Sequence, residues 1–443
     1  MKEQKKIPVG KVQRAAKFIK TGTKVGANYA GYYIKKTVSK PSKEDLDRKN
    51  AEDIYSAFSE LKGSALKVAQ VLSMDTNVLP KEYSEQFAMA QYSAPPLSYP
   101  LVRNTILKTV GKTPEELFEE FDKSAVNAAS IGQVHKAKLR GHIYAVKVQY
   151  PGVAESIQSD LKIVLPIARR FLKLNKKEIE KYAKEIESKL LEEANYELEL
   201  ERSNWITNSC SGLEGIIFPK YYKELSSKRV LTMDWIEGIH LKEFIDTKSG
   251  TEEANQIGQK LWDFYVYQIR ELKMVHADPH PGNFLITDEN QLGVIDFGCV
   301  KELPDDFYRD YFLLFNTIRT NNLGSIEEIM ERLEFFLPTD TEKDRKKVQH
   351  IFTELLSLVM KPFQEAYFDF SDAAYFKQIY AYGEALSQDK EVRDMGSARG
   401  SKHFIYMNRT LFGLFNILHS LKADKIATAG FAGIVENISE KSS

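Results

Sequence analysis

The segment His276-Ala277-Asp278-Pro279-His280-Pro281-Gly282-Asn283 constrains this chain more than any other. Its prolines and glycine exclude a helix, so polar side chains are carried on an irregular loop. Next come Phe284-Leu285-Ile286 and Leu292-Gly293-Val294-Ile295, flanking a turn at Thr287-Asp288-Glu289-Asn290, the pattern of a short hairpin. The hairpin delivers a second polar turn, Asp296-Phe297-Gly298. A zinc site built on His276 and His280 would need both on one helix with a glutamate between them, and Pro279 and Pro281 rule that out.

Phosphoryl transfer needs a carboxylate to orient the acceptor hydroxyl or water, and oxygen ligands to hold magnesium against phosphates. Kinases place the catalytic Asp and a metal-binding Asn five residues apart on one loop, and a second metal-binding Asp after a short hairpin. Asp278 and Asn283 have that spacing, and Asp296 follows the hairpin. The pair of segments therefore points to phosphate chemistry, with Asp278 catalytic and Asn283 and Asp296 on the metal.

Upstream, Ala145-Val146-Lys147-Val148 lies in an apolar strand pattern, Ile143 to Val148. A lysine on a buried strand needs an anionic partner, because an unpaired buried ammonium is costly. Nucleotide phosphates and a glutamate of the following acidic helices would supply it, and Glu187 and Glu193 are the candidates. The loop before this strand, Asn127-Ala128-Ala129-Ser130-Ile131-Gly132, is alanine-rich where kinases are glycine-rich, and Ser130 offers a hydroxyl to phosphate. Gly111-Lys112-Thr113 lacks the upstream glycine of a Walker A loop and reads as a turn before a helix, with Thr113 as N-cap and Pro114 in its first turn.

The rest of the chain sets these motifs in order. At 443 residues the chain is too long for one small core, which predicts two lobes with helical additions. Two cysteines, Cys210 and Cys299, give neither a zinc spacing nor a disulfide framework and fit a reducing compartment. The formal net charge of zero conceals eleven Lys/Arg against one acid in residues 1–40, leaving 51 basic and 61 acidic residues elsewhere. Val12, Ala15, Ala16, Ile19, Gly26, Ala27, Ala30 and Tyr33 fall near helical spacing among these lysines. That predicts a weakly amphipathic basic helix, either docked on an anionic membrane or a solvated tail. Helices are expected between Glu44 and Ser93 and over Leu101–Val110, strands over Val126–Lys138, Phe218–Tyr222 and Val230–Trp235, and a largely helical run from Gly238 to Leu272. The apolar run Phe404–Leu421 contains Asn408, Arg409, Asn416 and His419, so it reads as a core helix rather than a membrane span. No secretory signal is apparent, and the expected location is cytoplasmic and peripheral on a membrane.

The string Ala128-Ala129-Ser130-Ile131-Gly132-Gln133-Val134-His135, followed by Ala145 to Val153, resembles the UbiB family of atypical kinases, also called the ABC-one or aarF-domain kinases. The resemblance continues at Lys67-Val68-Ala69-Gln70, similar to that family's K-x-G-Q motif, at Glu193-Ala194-Asn195, similar to its E-x-D motif, and at Asn408-Arg409-Thr410-Leu411, covering about residues 50 to 425. It implies an α+β, two-lobed protein-kinase-like fold with an N-terminal helical extension and extra C-terminal helices. The implied division is a basic arm over 1–43, the extension over 44–123, an N-lobe over 124–235 and a C-lobe over 236–443. It further implies that Ala129, Ser130, Lys147 and the stretch Met233, Asp234, Trp235 and Ile236 bind ATP. Lys67, with Glu193, would form a lid over the site, while Asp278 acts with magnesium held by Asn283 and Asp296. Ala69 stands where the family has Gly and Asn195 where it has Asp, which alters the backbone of the lid and removes one negative charge from it.

The function so implied is an ATPase or kinase supporting ubiquinone or other quinone and isoprenoid-lipid biosynthesis at a membrane. Its partners would be a lipid or quinone precursor, an anionic surface and quinone-biosynthesis proteins. A nucleic-acid partner is not expected, and the residues leave open the phosphoryl acceptor, the lipid and the oligomeric state. A nucleotide-binding scaffold with little turnover and a small-molecule kinase are the alternatives. A protein kinase is disfavoured, because nothing between Asp296 and Leu323 resembles an A-P-E activation segment.

Overall fold

The computed structural model describes residues 11–36, 42–61, 96–128, 131–172, 187–188, 190–320, 323–389, 391–392 and 399–429. The chain divides into two compact units, Met1–Glu201 with Lys220–Trp235, and Arg202–Pro219 with Ile236–Ser443.

The first unit is built on an antiparallel sheet. Strand Glu120–Phe121 lies beside Gly132–Leu139, which pairs His142–Gln149, which pairs Val230–Asp234; Asn127–Ala128 also pairs Gly132–Leu139. Arg140 and Gly141, both at positive φ (51° and 77°), close the central hairpin as a two-residue turn that matches strand twist. The middle strand carries buried residues on both faces, so its sequence runs apolar rather than alternating. Lys147 sits on it, opposite Val134 on one side and Leu231 on the other. The stretch expected as a strand at Phe218–Tyr222 contributes only a bridge from Tyr221 to Met233.

Helices Lys11–Lys36 and Lys43–Leu61 pack on each other, and the first also meets helix Val153–Leu172. Over residues 11–36 the basic segment is therefore not a loose tail. Arg14 is 3% exposed, and its guanidinium donates to both carboxylate oxygens of the fully buried Asp160 (2.8 and 2.5 Å) and to the Leu61 carbonyl at 2.8 Å. Phe18 packs edge-on to Phe58 at 5.7 Å. Of the residues at helical spacing, Ala16, Ile19, Gly26, Ala27, Ala30 and Tyr33 point outward, while Arg14 and Phe18 are buried. The large Phe18 ring and the paired Arg14 cover more surface than a stripe of alanines and glycines.

The second unit is centred on helix Glu252–Tyr267, whose Ile257, Leu261, Trp262, Phe264 and Tyr265 are buried. Thr251 caps it by accepting from the Ala254 N–H. Trp262 packs against Phe363, Phe370 and Phe415, the last on helix Lys402–Leu421. The expected helical run before Leu272 is two helices, Leu241–Lys248 and Glu252–Tyr267, followed by a widened turn over Gln268–Leu272. Strands Ile216–Ile217, Leu292–Val294, Phe284–Ile286 and Ile239–His240 form a sheet in that order. A separate pair, Met274–His276 with Val300–Glu302, matters most for the site. The first strand enters the loop at Ala277 and the second leaves the loop that follows Asp296, so one ladder anchors both.

Among the described residues no helix is long and apolar enough to cross a membrane. Helix Lys402–Leu421 has ten buried side chains, as a core helix should.

Candidate active site

In the first unit, Lys147 Nζ donates to Glu199 Oε1 at 2.7 Å, with side-chain exposures of 12% and 4%. The carboxylate partner is thus Glu199 rather than Glu187 or Glu193. Glu187 accepts instead from Gln158 at 2.7 Å. Glu193 belongs to a short helical turn that ends at Ala194, and a new helix, Tyr196–Ser209, starts one residue later. Tyr196, Glu199, Leu200 and Ser203 form the buried stripe of that helix at its start, and this stripe brings Glu199 to the strand. Lys147 Nζ also lies 5.2 Å from the Tyr196 ring centroid. A Cβ on Gly132 would come within 2.6 Å of the Tyr196 hydroxyl and 2.9 Å of the Val148 carbonyl, so only glycine admits this approach.

Several residues of the family-like string are ties rather than chemistry. The Gln133 side chain accepts from the Leu97 N–H (2.7 Å) and donates to its carbonyl (3.3 Å). His135 Nδ1 bonds the Asp122 carbonyl at 2.7 Å, which fixes the proton on Nδ1, and Nε2 accepts from Gln133. Gln149 donates to the Ala194 carbonyl at 2.8 Å and so holds the end of the turn carrying Glu193. Asp234 is also engaged: its carboxylate accepts from His142 and Tyr222, both at 2.7 Å, and from the Lys220 N–H at 3.0 Å. That side chain braces its own strand rather than facing a nucleotide. Met233 is buried, and Trp235 lies under Lys136 Nζ at 4.6 Å from its ring centroid. Lys67, Ala69, Gln70, Ala129 and Ser130 lie outside the described residues.

In the second unit the two polar loops are bound to each other. His276 Nε2 donates to the Asp296 carbonyl at 2.7 Å, so Nδ1 is an acceptor, and the Tyr265 hydroxyl donates to it at 3.2 Å. Burial, with the nearby Asp278 charge adding, pushes the Tyr265 hydroxyl far above its ordinary value and keeps it a donor. With both ring nitrogens committed, His276 is a post rather than a metal ligand. Ile295 N–H donates to the Asn283 carbonyl at 3.1 Å, a second tie between the loops, and Ala277 N–H donates to the Cys299 carbonyl at 2.7 Å. Phe297 is buried against Phe218 and edge-on to His276.

Within this frame Asn283 Nδ2 donates to the Asp278 carbonyl at 2.9 Å and approaches its carboxylate Oδ2 at 3.4 Å. The donor end of the amide is thereby fixed toward Asp278, and its oxygen faces the other way. Asp296 Oδ1 accepts from the Gly298 N–H at 2.8 Å. A further residue, outside both segments, reaches this centre: Arg409 Nη2 lies 3.5 Å from Asp278 Oδ1. Among the described residues no group of three or more His, Cys, Asp and Glu could hold a metal, so any ion here would be met by amide and carboxylate oxygens.

The family model for the ABC1 atypical kinase-like domain matches residues 89–330. The chain belongs to the ABC1 atypical kinase-like family. The probable serine/threonine-protein kinase abkA of Dictyostelium discoideum is 28% identical over 82% of this chain and 68% of its own length. An aarF domain-containing protein kinase of Arabidopsis thaliana, described as chloroplastic, is 32% identical over 61% of this chain, an alignment that spans only 38% of that relative. The solved structure of Rv3197 with erythromycin, from Mycobacterium tuberculosis, superposes with a TM-score of 0.61 at 26% identity, covering 89% of this chain and 96% of that one. The fold is accordingly the two-lobed, protein-kinase-like α+β fold with extra helices.

Proposed function

We propose that this ABC1-family chain is an atypical kinase or ATPase that uses Mg-ATP and supports quinone or isoprenoid-lipid biosynthesis at a membrane surface. The observation that carries the reading is the Lys147–Glu199 pair, two charges held together at 12% and 4% exposure. Burying both charges is costly, and a fully apolar pair would pack there at least as well. A lysine needed for phosphates gives the cost a purpose.

The residues present fit the nucleotide and its metal. Lys147 would engage phosphate oxygens, oriented by Glu199. The Asn283 amide, with its nitrogen tied to the Asp278 carbonyl, offers its oxygen to a hard cation, and the Asp296 carboxylate offers another. Magnesium, when bound, supplies neutralisation of the phosphate charge. Asp278 would hold the acceptor hydroxyl or water. Met233 and Ile236 would serve the nucleotide through backbone, since the Asp234 carboxylate is committed to its own strand and the Trp235 N–H donates to the Ile143 carbonyl at 3.1 Å. The membrane part is supported by the outward face of helix Lys11–Lys36, where Ile19, Tyr33 and Ile34 are 68%, 62% and 69% exposed beside Lys20 and Lys35.

The test is ATP hydrolysis by the purified protein, with and without anionic vesicles and phenols that mimic a quinone head group. Turnover raised by vesicles and phenol supports the full reading. Nucleotide binding without turnover in any condition favours a scaffold instead.

A further inference from the structure

Arg409, in the family-like Asn408–Leu411 stretch beyond the segment matched by the family model, lies 131 positions from Asp278, yet the fold sets it beside the carboxylate. The approach is built in. Helix Lys402–Leu421 crosses the loop so closely that a Cβ on Gly413 would lie 2.2 Å from Pro279 Cγ and 3.1 Å from Pro279 Cβ. Pro279 is the residue after Asp278, and Arg409 is one helical turn before Gly413, on the same face. The helix is held in place around this point. Asn408 accepts from the Tyr311 hydroxyl at 3.3 Å and donates to the Phe404 carbonyl, and Phe404, Tyr406, Met407, Thr410 and Leu411 are buried.

The two oxygens of Asp278 then meet two different groups: Oδ2 meets the Asn283 amide at 3.4 Å, and Oδ1 meets the Arg409 guanidinium at 3.5 Å. Both contacts are long, a hydrogen bond on Oδ2 and an ion pair on Oδ1, and together they would restrict the rotation of the carboxylate. We propose that Arg409 is a positioning residue for phosphoryl transfer, holding Asp278 by one oxygen while the Asn283 loop holds the other. The proposal rests on the enzymatic reading above and adds to it a residue from the C-terminal helix. An arginine suits the role better than a lysine, because its planar fork fixes direction as well as charge. With side-chain exposures of 31% and 29%, the ion pair contributes little to stability, so its effect belongs to turnover.

The experiment compares wild type, Arg409→Ala, Arg409→Lys, Asp278→Asn and the double variant Asp278→Asn/Arg409→Ala, each as full chain. Arg409→Ala is expected to lower kcat at least about tenfold, with KM for Mg-ATP changing by less than about threefold. Its melting temperature should match that of wild type, and guanidinium at a concentration well below denaturing should restore part of kcat. Arg409→Lys should lie between the two. In the Asp278→Asn background, removing Arg409 should cost nothing further, because it acts through that carboxylate. A kcat for Arg409→Ala within about twofold of wild type overturns the proposal while leaving the enzymatic reading intact. So does a parallel loss of kcat and melting temperature without guanidinium rescue, which marks a merely structural arginine. A wild type that binds Mg-ATP but never turns it over overturns both.

Discussion

Replacing Gly413 by alanine probes the joint between the C-terminal helix and the loop that carries Asp278. The added Cβ would meet Pro279 Cγ at 2.2 Å, about 1.2 Å inside ordinary contact. The proline ring cannot rotate away as a flexible side chain would, so the loop or the helix must shift by about 1 Å. Overpacking of this kind costs about 1–3 kcal/mol. For the second unit that corresponds to a fall in melting temperature of about 2–6 °C. If Asp278 acts as proposed, a displacement of about 1 Å at its carboxylate lowers kcat by about 10²-fold. Gly383 supplies the control, since it lies in helix Ala373–Gln388 with nothing within 4 Å of its added Cβ. Gly383→Ala should raise stability by about 0.5–1 kcal/mol, through the lower entropy of the unfolded chain, and leave turnover alone. Scanning calorimetry and an ATPase assay on both variants decide the matter. If Gly413→Ala melts and turns over like wild type, the close packing of helix on loop is refuted. If it melts lower with unchanged kcat, the helix yields and the loop does not depend on it.

Glu199→Gln leaves Lys147 buried without its countercharge, so it should lose about 3–5 kcal/mol of stability along with nucleotide affinity; a variant with unchanged melting would show that the pair does not form. Arg14→Met should be comparably damaging by leaving the Asp160 charge buried alone, whereas Arg14→Met combined with Asp160→Leu should recover most of the loss in chemical denaturation. Hydrogen bonds from Arg399 (2.6 and 2.8 Å) hold the Asp340 carboxyl below its ordinary value despite burial. Its stabilising contribution is therefore complete above about pH 4 and is lost as pH falls through the depressed folded-state value. The melting difference between wild type and Asp340→Asn should accordingly be full near neutrality and shrink below about pH 4; a constant difference would contradict the assignment.

The parts of the site legible in the sequence are those whose chemistry is set by neighbours in the chain. The prolines around Asp278 and the hairpin before Asp296 determine a local backbone, and the structure binds those two loops together through His276 and Ile295. Lys147 was legible for a similar reason, being a lone charge in an apolar strand. Its partner was not, because the choice among Glu187, Glu193 and Glu199 depends on where one helix stops and the next begins. The available signal was the phase of the second helix, since Glu199 shares a stripe with Tyr196, Leu200 and Ser203, and a glutamate on a buried stripe requires a cation. The inward face of the N-terminal helix was not legible for the same reason. Its spacing of small residues marks the outward face, while Phe18 and the ion pair of Arg14 with Asp160 bury another, and a contact 146 positions away is invisible to local periodicity. Arg409 and Gly413 meet the Asp278 loop for reasons that only tertiary packing discloses.

The central claim is that Asn283 and Asp296 hold magnesium for a bound nucleotide. The direct measurement is thermal stabilisation by ATP, with magnesium and with a chelator, for wild type and Asp296→Asn. Wild type should gain about 2.7 kcal/mol from Mg-ATP at a hundredfold excess over its Kd, and much less with the chelator present. Asp296→Asn should melt like wild type without ligand and show no added stabilisation from magnesium. Equal magnesium-dependent stabilisation in the two proteins would contradict the account.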